Sequence, residues 1–111
     1  GVSMIIAGID QKGESIYVTD PSGTYVQFSA IAIGAGSDDV NAFLEEHYKD
    51  DLSLEDAASL AIAAINLKAE AKDGVNNIKM AKITTESKIF EKVSDSDLQN
   101  YSQNASKFAP E

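Results

Sequence analysis

Tyr17-Val18-Thr19-Asp20-Pro21-Ser22-Gly23-Thr24-Tyr25 decides how the first third of the chain is read. Asp20 stands at the first place of a turn, Pro21 at the second with its fixed φ, and Gly23 at the fourth. The flanking residues are β-branched or aromatic, so one strand ends at Thr19 and another begins at Thr24. Upstream, Asp10-Gln11-Lys12-Gly13 supplies turn chemistry between residues 2–9 and 15–19, which makes a hairpin the economical reading. Residues 2–9 are apolar at odd and even positions alike, as suits a strand covered on both faces. Downstream, Tyr25, Val26, Phe28, Ile31 and Ile33 predict a long third strand over 24–33, leading into Gly34-Ala35-Gly36.

The period then becomes helical. Ser37 is placed to cap a helix with Val40, Phe43, Leu44 and Tyr48 on its apolar side, ending near Asp50. Ser53-Leu54-Glu55-Asp56 resembles a capping box and opens a second helix over 54–72. Its apolar residues, among them Leu54, Leu60, Ile62, Ile65 and Leu67, go nearly all round, which implies burial on more than one side. Lys68 and Lys72 suit the negative end of the helix dipole, and Asp73-Gly74 can stop it. Two strands, 77–84 and 88–93, flank Thr85-Glu86-Ser87. Ser96 with Gln99 then starts a last helix striped by Leu98, Tyr101, Ala105 and Phe108. The predicted class is α+β, in the order βββααββα, with no internal repeat and no low-complexity linker.

The chain has 111 residues, enough for one small domain, and 43% apolar against 24% charged residues is ordinary globular composition. A formal charge of −9 repels phosphate backbones and anionic lipid, so neither nucleic acid nor a membrane surface is an expected partner. With no Cys there is no disulfide framework and no thiolate nucleophile or Cys-based metal site, and the cytosol is the expected compartment. The apolar run over residues 4–9 is far short of the ~20 residues needed to span a bilayer. Without a secretory route, the sequons at Asn100 and Asn104 are chance matches.

No catalytic constellation emerges, and no catalytic, cofactor-binding or metal-ligating residue is assigned. His47 stands alone, with Glu46 and Tyr48 pointed elsewhere by helical geometry, and reads as a surface or rim residue. Ser22, Ser37 and Ser53 have turn or cap roles, and no Gly-x-Ser-x-Gly elbow occurs. The pairs Asp38-Asp39, Glu45-Glu46 and Asp50-Asp51 sit at helix ends or on polar faces. Gly34-Ala35-Gly36-Ser37 is placed like a phosphate-cradling turn, but Asp39 stands where the dinucleotide fingerprint has its third glycine and would oppose a pyrophosphate. The second helix, read from its residues alone, is a core helix or one used in subunit packing.

The stretch from Tyr17 to Tyr25, continuing through Ala30-Ile31-Ala32-Ile33-Gly34-Ala35-Gly36-Ser37, resembles the second half of a proteasome α-type subunit. Phe43-Leu44-Glu45-Glu46, Tyr48-Lys49, Leu52-Ser53-Leu54-Glu55-Asp56-Ala57, residues 78–84 and Phe90-Glu91-Lys92-Val93 agree in order and spacing, and the archaeal type is most similar. This resemblance implies part of the four-layer αββα sandwich of the N-terminal-nucleophile hydrolases. It also implies a non-catalytic member of the heptameric outer ring of the 20S core particle, with other α subunits, β subunits and a regulatory ATPase or activator as partners. In that family cutting is done by β subunits through an N-terminal Thr. Here Gly1 occupies the first position, Ala35 replaces the first Ser of the β-type Gly-Ser-Gly-Ser turn, and Asp73 is followed by Gly74-Val75-Asn76-Asn77 with no Ser.

On the same resemblance, residues 1–111 are one partial domain, the C-terminal half of the family fold, starting inside a strand as a truncated, processed or excised piece would. Gating and activator-docking residues would belong to the other half. Apolar edges and an uncovered face are then expected, with self-association or strand exchange through residues 2–9 or 24–33. Two other readings stand beside this one: a catalytic β-type relative, and an unrelated acidic interaction module.

Overall fold

A computed structural model of the chain describes residues 4–10, 13–19, 22–34, 36–67 and 78–108. Three strands open it: β1 (Met4–Asp10), β2 (Gly13–Thr19) and β3 (Tyr25–Phe28), antiparallel in the order β1-β2-β3. Register pairs Asp10 with Gly13, whose φ of 115° is one that glycine adopts without strain, as the hairpin reading requires. The intervening Gln11 and Lys12, like Asp20 and Pro21 of the second turn, lie outside the described residues. Gly23 closes that second turn at φ 90°.

Because successive side chains alternate, register sorts the sheet into two faces. Ile5, Val18 and Val26 share one face with Ala7, Ile16 and Phe28. Met4, Thr19 and Tyr25 share the other with Ile6, Tyr17 and Gln27. On that second face Tyr17 and Tyr25 meet edge to face at 5.8 Å, a diagonal cross-strand pair.

The expectation that residues 2–9 are covered on both faces is corrected. Met4 is 53% exposed and Ile6 52%, with Ile5 of the opposite face exposed as well. A continuous apolar run states that both faces can be covered. It does not state that the covering elements lie within the same stretch of chain. The third strand is also shorter than expected, four residues rather than the whole of 24–33. Past Phe28 the backbone is claimed by a side chain: Ala32 N–H donates to Asn41 Oδ1 at 2.8 Å, and Asn41 Nδ2 donates to Ala32 O at 3.0 Å. An amide that satisfies both backbone groups removes the need for a ladder partner.

Helix α1 (Ser37–His47) is capped not by Ser37 but by Gly36, in the left-handed region at φ 77° and without a side-chain cap. Ser37 N–H already bonds Gly34 O at 3.2 Å, so the cap falls one residue earlier. The helix ends at His47, short of Asp50, where Tyr48 turns extended. Helix α2 (Leu54–Asn66) is capped as read, with Asp56 N–H donating to Ser53 Oγ at 3.1 Å. Its proposed extension, Lys68, Lys72 and Asp73-Gly74, falls outside the described residues.

Burial on more than one side of α2 is observed. Leu60 and Ala64 join Phe43, Leu44 of α1 and Phe108 in one cluster. Ile62, 0% exposed, joins Ile78, Leu98 and Ala105 in another. The alanines let α1 and the following helix approach α2 from opposite sides.

Strands β4 (Ala81–Ile83) and β5 (Phe90–Lys92) pair antiparallel as a separate ribbon and are shorter than 77–84 and 88–93. Hydroxyls take over near the turn: Ser87 N–H donates to Thr84 Oγ1 at 3.0 Å and Ile89 N–H to Ser87 Oγ at 3.2 Å. Helix α3 (Asp95–Asn104) is capped by Ser94, whose Oγ accepts from Asp97 N–H at 3.2 Å, and not by Ser96. Ser94-x-x-Asp97 and Ser96-x-x-Gln99 are near-equal on paper. Ser94 wins because it follows β5 in extended conformation, where a cap must sit. A 3-10 turn (Ala105–Phe108) closes the described chain, and Leu98, Ala105 and Phe108 of the expected stripe are buried.

Candidate functional site

His47 is half-buried at the end of α1, its ring 4.4 Å from Phe43 and 5.9 Å, edge on, from Phe108. Packing between two rings is the environment of a rim residue, the position expected for it. The three serines carry local structure: Ser22 Oγ lies 3.3 Å from Thr24 Oγ1, Ser37 opens α1, and Ser53 caps α2. Asp38 and Asp39 occupy the first turn of α1, where the dipole favours them, and Glu45, Glu46, Asp50 and Asp51 are exposed. The structure does not bring these acids together. Among the described residues no group of three or more His, Asp or Glu side chains is placed to hold a metal ion. In the turn before α1, Gly34 and Gly36 have positive φ, Ala35 lies outside the described residues, and Asp38 and Asp39 follow directly. That charge is hostile to a phosphate.

Asn104, one of the two sequon residues, is engaged inside the protein. Its Nδ2 donates to Asp56 Oδ1 at 3.0 Å and to Ser59 Oγ at 2.9 Å. Lys107 Nζ lies 2.6 Å from the same carboxylate oxygen. These donors, Lys107 first and Asn104 next, hold the Asp56 carboxyl below its ordinary value. Sequence reasoning saw Asp56 as part of a capping box and missed this cluster, whose members are some fifty positions apart in the chain. Tyr48 is shifted upward, by burial first and then by the charge and hydrogen bond of Asp50, so its hydroxyl stays protonated beyond the usual phenol range.

What remains as a functional feature is apolar surface. The sheet face bearing Ile5 and Ile16 looks across a cavity of about 450 Å³ toward Val40, Leu44, Leu60 and Ala64 of the helices. The opposite face presents Met4, Ile6 and Tyr25, the last 70% exposed. On the ribbon, Ile89 and Phe90 are exposed too, and a second cavity of about 410 Å³ lies between β1–β2 and β4–β5. Contiguous exposed apolar side chains on a sheet suit contact with other protein surface.

A family model described as "Proteasome subunit" matches residues 1–83. The proteasome subunit alpha of Pyrococcus horikoshii is 44% identical over 101 residues, covering 91% of this chain and 38% of the relative. A probable proteasome subunit alpha type-2 of Schizosaccharomyces pombe is 45% identical over 85 residues, 77% of this chain and 35% of its own. The proteasome subunit alpha of Archaeoglobus fulgidus is 38% identical over 105 residues, 95% of this chain and 42% of its own. The chain thus spans about two fifths of the length of these relatives.

Proposed function

The chain belongs to the proteasome subunit family, on its α side, and from that premise we propose that it serves as a non-catalytic structural subunit of the 20S outer ring. The observation that carries this reading is the kind of relative matched, α subunits of two archaea and a yeast over 77–95% of the chain. The open apolar face of Met4, Ile6 and Tyr25 supports it, because a ring component must offer surface to its neighbours. On this proposal residues 1–111 are part of one αββα sandwich domain, the C-terminal half. Other α subunits, β subunits and a regulatory ATPase or activator are the partners, the last reached through the other half. Assembly, chamber gating and ATP-dependent protein degradation in the cytoplasm are the processes served. For the described helices, none is long and apolar enough to cross a membrane.

The test is to purify the protein alone and after co-expression with a β-type subunit, and to assay each against fluorogenic peptides. Alone, it should give no turnover. Together, the two should sediment as a high-mass particle whose turnover disappears when the N-terminal Thr of the β subunit is replaced. Turnover by the chain alone, or failure of the two to co-sediment, would overturn the proposal.

A further inference from the structure

Four residues tie the end of the described chain to the start of α2. Asp56 Oδ1 accepts from Lys107 Nζ at 2.6 Å and from Asn104 Nδ2 at 3.0 Å. Asn104 Nδ2 also donates to Ser59 Oγ at 2.9 Å, and Ser59 Oγ donates in turn to Glu55 O at 2.8 Å. Ser59 is fully buried, whereas the Lys107 and Asp56 side chains are 47% and 28% exposed. The network therefore has a fixed inner end and a wet outer end.

The outer end lies on Ala105–Phe108, a single 3-10 turn, an element whose hydrogen-bond geometry is poorer than that of an α-helix. Its first residue, Ala105, is buried beside Ile62, Ile78 and Leu98, and two attachments of different character hold residues 106–108. Phe108 inserts beside Phe43, Leu44, Leu60 and Ala64, with His47 against its ring at 5.9 Å. Lys107, the residue before, is held by charge, its Nζ on Asp56 and 5.5 Å from the Phe108 ring centre. A cation anchored at that point restrains the backbone that carries Phe108.

We propose that residues 106–108, hinged at the buried Ala105, are a strap over the apolar seam between α1 and α2, with Asp56 as its catch and the Lys107 charge as its key. With the charge present the strap stays closed. When the charge is neutralised or screened, the turn lifts, Phe108 leaves its place beside Phe43 and His47, and the seam opens to solvent or to a neighbour. The inner bond of Asn104 to Ser59 keeps α3 docked meanwhile, so opening is confined to the turn.

Hydrogen exchange of the full chain, followed by mass spectrometry, reads this directly. Lys107→Gln should speed exchange of the amides of residues 106–108 about three- to fivefold, as loss of one exposed ion pair does, while Lys107→Arg stays within about 1.5-fold. Raising salt from about 0.05 to 0.5 M should move the unmodified protein in the same direction as Lys107→Gln. Exchange in the interior of α2, around Ile62, should hold constant throughout. Asp56→Asn gives a second route to the same opening, and if it fails to fold, Lys107→Gln and the salt series still decide. Unchanged protection at 106–108 in Lys107→Gln, equal loss in Lys107→Arg, or uniform loss across α1, α2 and α3 would each overturn the strap.

Discussion

Asn41 holds both the N–H and the C=O of Ala32, at 2.8 and 3.0 Å, and so stands in for a strand partner with a single amide. Removing it leaves two partly buried backbone groups unsatisfied. Asn41→Ala should therefore cost about 2 kcal/mol in urea unfolding, well above the cost of an exposed polar substitution. Asp56 makes a prediction about pH. Its carboxyl is held below the ordinary value of 3.8 by Lys107, Asn104 and Ser53, so the folded state binds the proton more weakly than the unfolded state does. The associated stability is complete above about pH 3.8 and is shed as pH falls below it through the depressed folded value. Circular dichroism of acid unfolding should show a flatter profile below that pH for Asp56→Asn than for the unaltered chain. An identical profile would mean that Asp56 is not the linked group. Neither residue's role was legible in sequence. Asn41 falls inside the predicted first helix with no motif to single it out, and the bonds to Asp56 reach across 48 and 51 positions.

At the scale of elements, the capping serines show where pattern reading succeeds and where it is one choice among equals. Ser53 was readable because its box stands alone before a long apolar helix, and it caps α2 as expected. Before α3 two boxes overlap, and the one used is Ser94. Ser94→Ala should cost about 1 kcal/mol and Ser96→Ala less than about 0.5 kcal/mol in denaturant unfolding. The reverse ranking would contradict the geometry. Strand ends were the least readable feature, because β-branched residues continue past Phe28 and around the β4–β5 turn while side-chain hydrogen bonds take the backbone away from the ladder. The strand core of β2 and the stripe of α3 were readable, since each is a short-range period that tertiary contact reinforces.

For the whole molecule, the uneven cover of the first sheet has a consequence in solution. One face looks toward α1 and α2 across a cavity, and the other shows Met4, Ile6 and Tyr25. We expect the chain to self-associate through this face or through the neighbouring strand edges, and Ile6→Lys with Tyr25→Lys to shift it toward the 11.8 kDa monomer in light scattering. A monodisperse monomer before substitution would defeat that expectation. By itself the sequence determined the α+β class, the elements in their order, the α2 cap, the two-sided burial of α2 and the resemblance to proteasome α subunits. Those depend on hydrophobic period and local turn chemistry, which are written within a few residues of where they act. The tertiary structure alone decided which sheet face turns to the helices, where β3 stops, which serine caps α3, and that Asp56 meets Asn104 and Lys107. The facing of the sheet and the Asp56 cluster rest on contacts between residues far apart in the chain, whose free energy exists only once folding has brought them within bonding distance; the end of β3 and the α3 cap turn on bonds nine and three positions apart, decided by the conformation in which the preceding chain arrives.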